Sequence, residues 1–145
     1  MTPLQKRALL GLAIGVVMAA AILVVFIVKG VTAYDEDTGM RLIVMGLFVG
    51  GLALYALTLS STRRKPGQAE VSRDERDEVI MRNAVNVQLW SVIISLVVWM
   101  IVLSEIYWDR GQMPVIFLFL MAMSSLIVNM LAQAIGILIG YRRML

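Results

Sequence analysis

The run Ser72-Arg73-Asp74-Glu75-Arg76-Asp77-Glu78 is the densest group of ionisable side chains in a chain that is otherwise 60% hydrophobic. Clustered carboxylates can work as acid–base pairs. Here each has a basic neighbour, which keeps it ionised rather than poised to transfer a proton. The spacing points to recognition instead. Ser72 and Glu75 match a capping box, in which the hydroxyl and the glutamate satisfy two free backbone N–H groups. Asp74 and Glu75 fall in a first helical turn, where the helix dipole favours negative charge. Arg73 with Asp77, and Glu78 with Arg82, are opposite charges four residues apart. Two readings follow: a solvated helix start that fixes topology, or a docking surface for a cytoplasmic partner or a second copy, formed by Arg73, Asp74, Glu75, Arg76, Asp77 and Glu78.

A second constellation is uncharged. Gln88, Ser91 and Ser95 share one helical face, as do Ser125, Asn129 and Gln133. Such residues inside apolar segments either bond helix to helix or line a small polar pocket through which a solute passes. Glu105 is a carboxylate at the edge of an apolar segment, a position that suits a proton or ion ligand, or pairing with water or Arg110. Asp35-Glu36-Asp37 could offer oxygen ligands to a cation but lacks the alternating spacing of an EF-hand loop. The chain has no Cys and no His. Thiol, disulfide and imidazole chemistry and His/Cys metal sites are thereby excluded. No nucleophile with its base is visible, so no enzyme activity and no cofactor are expected.

The elements that must position these groups are apolar helices. The 145 residues are only 16% charged, with a mean hydropathy of +0.85; a soluble domain is about 45–50% apolar and about 25% charged. Four segments approach or exceed the roughly 20 residues that cross a hydrocarbon core: 8–28, 42–59, 87–107 and 115–141. The first is too long for a signal-peptide core of about 7–15 residues. Residues 29–41 form a first loop, with Tyr34 at headgroup level and Gly39 in a turn. Pro66-Gly67 breaks the linker that carries Arg63-Arg64-Lys65. The helix that starts at Ser72 should run on into the third segment, placing two to three turns outside the bilayer. Tyr107-Trp108 marks the far interface, Asp109-Arg110-Gly111 a tight turn, and Pro114 the start of the fourth segment.

Basic residues orient the chain. Ten of the thirteen fall on one side: Lys6, Arg7, Arg63, Arg64, Lys65, Arg73, Arg76, Arg82, Arg142 and Arg143. Lys29, Arg41 and Arg110 fall on the other. Both termini and the linker should therefore be cytoplasmic, in a multi-pass protein of the cytoplasmic (inner) membrane. The pI of 9.6 reflects these flanking cations rather than a nucleic-acid surface. Small residues at Gly11, Gly15 and Ala19, at Gly46 and Gly50, and at Ala132, Gly136 and Gly140 form flat stripes suited to close packing in the bundle or to dimerisation. Counting from Arg82 and Arg142 brings Ser95 level with Asn129 and Ser91 level with Gln133, which predicts that these pairs meet.

Arg-Asp-Glu-Arg-Asp-Glu-Val-Ile at 73–80, with Ala84 and an apolar segment beyond, resembles the signature of uncharacterised prokaryotic four-span membrane proteins of the domain-of-unknown-function 2178 kind. The resemblance covers residues 72–90 and implies a four-span membrane protein with no stated activity. The chain thus reads as an all-α, four-transmembrane-helix antiparallel bundle with its third helix extended into the cytoplasm. Its partners are the lipid bilayer and a second copy or another membrane protein. An accessory, regulatory or assembly role through residues 72–86 is expected; the alternative is a small transporter or channel subunit using the polar seam.

Overall fold

The computed structural model describes residues 2–31, 33–61, 75–109 and 111–143. The chain is all-helical: α1 Pro3–Lys29, α2 Ala33–Glu36, α3 Thr38–Ser61, α4 Glu75–Tyr107 and α5 Val115–Arg143. Four of these, α1, α3, α4 and α5, are long and apolar enough to cross a membrane. Each contains one of the four apolar segments. Helix α4 runs unbroken for 33 residues, about 50 Å at 1.5 Å per residue.

The helix ends have local causes. Thr2 caps α1 through a reciprocal capping box: its hydroxyl accepts from the Gln5 N–H at 3.2 Å, and Gln5 Oε1 accepts from the Thr2 N–H at 2.9 Å. Pro3 supplies the preset φ of a first helical residue. Gly30 ends α1 at φ 82° and its N–H returns to Phe26 O at 2.9 Å; a Cβ there would be strained. Gly111 makes the turn between α4 and α5 at φ 62°.

The first loop is more ordered than its composition suggests. It folds into α2, and Tyr34 is buried, with its ring stacked between Phe26 at 6.0 Å and Phe119 at 5.6 Å. Asp37 closes the loop. Its Oδ1 accepts from the N–H groups of Gly39 at 2.8 Å and Met40 at 3.2 Å, capping α3, and its Oδ2 accepts from Lys29 Nζ at 2.6 Å. The Lys29 ammonium and these two N–H groups hold the Asp37 carboxyl below its ordinary value of 3.8. A carboxyl whose folded pKa is depressed stabilises the fold above its unfolded pKa and loses that contribution as pH falls through the folded one. Asp37→Ala should therefore lower the melting temperature in detergent micelles by about a few degrees at pH 7. The gap between variant and parent should close below the ordinary carboxylate pKa, and Asp37→Asn, which keeps the cap, should lose less.

Helix α5 packs against both α4 and α1, and α1 also packs against α3. All three pairs are antiparallel. Two cores result, offset along the molecule. At the loop end, Met18 and Ile22 of α1, Met40 and Val44 of α3, and Ile116, Met123 and Met130 of α5 close around Tyr34. At the end carrying both termini, Ala8 of α1, Ile80 and Ala84 of α4, and Ile137 and Tyr141 of α5 close around one another. Helices α1 and α5 belong to both cores, α3 only to the first and α4 only to the second.

Between α4 and α5 the approach is backbone-close. A Cβ on Gly136 would lie 3.0 Å from Ala84 Cα and 3.1 Å from its Cβ, and one on Gly140 would lie 2.8 Å from Ile80 Cγ2. The α5 stripe is thus an internal packing face. So are Gly11 and Gly15 of α1, which sit against Tyr55 and Leu131. Gly46 and Gly50 of α3 have no neighbour within 4 Å of where a Cβ would be.

Candidate functional site

The polar residues inside the helices form a ladder rather than two matched faces. Gln88 Nε2 of α4 donates to Asn129 Oδ1 of α5 at 2.6 Å. Trp99 Nε1 donates to Ser124 Oγ at 2.8 Å. Gln133 Oε1 accepts from the hydroxyl of Tyr55, on α3, at 2.7 Å. The expected pairs Ser95 with Asn129 and Ser91 with Gln133 do not form. Depths counted from Arg82 and Arg142 match these pairs, but the close approach of Ala84 to Gly136 and Ile80 to Gly140 sets the register instead. Arg82 then comes level with Leu138, one turn short of Arg142. Ser91 and Ser95 are half-buried on α4, and Ser125 Oγ is buried without a hydrogen-bond partner among the described residues.

Tyr55 and Trp99 were not among the sequence candidates. Each is an aromatic ring with one polar atom inside an apolar segment, a combination that usually seeks a partner, and that was the available signal. A bond between helices in a bilayer is worth about 0.6–2 kcal/mol. Gln88→Leu removes one and strands the Asn129 carbonyl. It should lower unfolding free energy in micelles by about that amount, measured by thermal denaturation, with Gln88→Asn intermediate because the shorter chain reaches less far.

Below the ladder, where the two cores meet, all four long helices line one small cavity. Arg7, Ala8 and Gly11 come from α1, Tyr55 from α3, Met81 from α4, and Gln133, Ala134 and Ile137 from α5. Its volume is about 10 Å³, enough for one water at most. Arg7 is half-buried beside it and makes no ion pair or hydrogen bond among the described residues.

Ser72, Arg73 and Asp74 lie outside the described residues, so the Ser72 cap and the Arg73–Asp77 pair do too. Helix α4 is already formed at Glu75 and Arg76. Glu78 and Arg82 are exposed and make no ion pair within the described residues. Asp77 points inward: its Oδ1 accepts from the Tyr141 hydroxyl, which itself accepts from Thr2 Oγ1 at 3.0 Å. That relay fastens the start of α1, the start of α4 and the end of α5 together. Glu105 is exposed two residues before the end of α4, and Arg110 is not described. No group of three or more acidic side chains able to hold a metal ion occurs among the described residues.

Comparison of the chain with protein-family models, with curated proteins and with solved structures finds no match.

Proposed function

We propose that the chain is a non-enzymatic multi-pass protein of the inner membrane, related to the four-span proteins its 73–80 motif resembles, that serves as an accessory, regulatory or assembly component. One observation carries this reading. The polar ladder is engaged in holding helices to one another, and the cavity beside it takes a single water. A transport path would need polar groups facing a continuous aqueous space, and this arrangement offers little of either. The outer faces of α3 and α4, by contrast, carry exposed Leu42, Val49, Leu57, Trp90, Ile94 and Met100, surface that a neighbouring membrane protein can cover.

In this reading the charged start of α4 faces the cytoplasm and selects the partner, while the flanks of the bundle bury against it. Asp77 stays in the docking set with one oxygen already engaged, since its Oδ1 accepts from the Tyr141 hydroxyl. The test is photo-cross-linking in native membranes from probes at residues 73, 76 and 78, with and without charge reversal at Arg73, Arg76 and Glu78. The expected outcome is one dominant adduct that reversal abolishes. An adduct unchanged by reversal overturns the docking role, and solute flux through liposomes holding the purified protein overturns the accessory role in favour of transport. A reporter fused at Gln68 should be active only in the cytoplasm.

A further inference from the structure

We propose that Tyr141 is a positioning residue for the charged start of α4: a directed chain of hydroxyls ending on Asp77 keeps that turn folded and in one orientation, ready for a partner. The chain joins three helices. The Gln5 N–H donates to Thr2 Oγ1 at 3.2 Å, the Thr2 hydroxyl donates to the Tyr141 hydroxyl oxygen at 3.0 Å, and the Tyr141 hydroxyl donates to Asp77 Oδ1. Every donor points toward the carboxylate. Hydrogen bonds aligned in this way polarise one another, and a bond that ends on a carboxylate is the strongest of such a series. Tyr141 is 5% exposed, so water competes little for its hydroxyl.

The first turn of α4 depends on this chain because its core contacts begin late. Ile80 is the member of the terminal-end core nearest the start of the helix. Ahead of it Glu78 and Val79 are exposed, and of the side chains at 77–79 only that of Asp77 hydrogen-bonds to another helix. A helix start frays readily, since its first N–H groups have no partner within the helix. A partner that docks on a frayed turn must also order its backbone, and that cost is subtracted from the affinity. With Asp77 pinned to Tyr141 the turn is ordered before the partner arrives, and Glu78 stays on its exposed side. The end of α5 and the start of α1 thereby govern a surface to which they contribute no charge. The inference rests on the docking role proposed above for residues 73–78.

Hydrogen–deuterium exchange of the full chain in micelles, read at the amides of residues 79–82, tests this. Those N–H groups bond to the carbonyls of the first turn. Tyr141→Phe keeps the ring in the core and removes only the hydroxyl. It should speed exchange at 79–82 about tenfold, as expected for the loss of one hydrogen bond to a carboxylate, and leave residues 90–106 unchanged. Thr2→Val, which removes only the upstream donor, should give a smaller rise at the same amides. In native membranes the reversal-sensitive adduct from probes at 76 and 78 should fall in Tyr141→Phe. Unchanged exchange at 79–82 overturns the proposal, and so does an equal rise along the whole of α4 and α5, which makes Tyr141 a core residue only. An adduct formed by the parent and left intact by Tyr141→Phe overturns the positioning role while sparing the docking role. A parent that gives no reversal-sensitive adduct overturns the docking role, and this proposal with it.

Discussion

Gly136→Leu should pull α4 away from α5 and produce the largest loss of stability of any single change at the terminal end of the molecule. A Cβ at that position already meets Ala84 Cα at 3.0 Å. The obstacle is backbone, which cannot rotate aside as a side chain can. Overpacking of this kind costs about 1–3 kcal/mol, and here the displaced helix also carries Ile80, which is fully buried. The measurement is thermal unfolding in micelles followed by helical circular dichroism. Gly136→Ala should show a smaller drop in the same direction. Gly46→Ala is the matched control: nothing lies within 4 Å of its Cβ, so it should be neutral or stabilising through the better helix propensity of alanine. Gly51 falls between the two. Its neighbour is the flexible Met18 side chain, which can move.

At the opposite end, Tyr34→Ala should be the most damaging change. The ring is 7% exposed and stacks on Phe26 and Phe119, so it joins the end of α1 to the start of α5 across the first loop. Truncating a buried aromatic costs about 3–5 kcal/mol. Tyr34→Phe keeps the stack and should retain most of that. If Tyr34 were an exposed anchor at the headgroups, Ala and Phe variants would differ little in micelles, so their ratio decides between the two roles.

The number and limits of the long helices were legible because apolar runs are bounded by residues that cannot continue them. The α4 end at Tyr107 and the α5 start at Val115 agree with the expected boundaries, since Trp108, Asp109, Gly111 and Pro114 punctuate the gap. Partnership was not legible to the same degree. The spacing marks both Gln88 and Asn129 as seam residues, yet counting depth from Arg82 and Arg142 sets Asn129 level with Ser95 and leaves Gln88 without a partner. Register between two apolar helices depends on how closely their backbones approach, and Ala84 on Gly136 decides that before any polar group is matched. Likewise the three small-residue stripes look alike as sequence. In the structure those of α1 and α5 are consumed internally and that of α3 is open, a difference created by which helices become neighbours. The burial of Tyr34 is hidden in the sequence for a related reason: an aromatic in a short acidic loop has the composition of an interfacial belt, and only the α2 turn brings it inward.

The offset of the two cores has a consequence for how the chain could be assembled from separate pieces. One piece ending at residue 61 contains α1 and α3, and another beginning at residue 75 contains α4 and α5. Each core draws on both, through the α1–α5 contact and without need of a covalent tether between them. The two halves, translated from independent messages, should find each other and co-purify as a stoichiometric complex, whereas a cut that parts α1 from α3 would leave the loop-end core to be rebuilt from an orphaned helix.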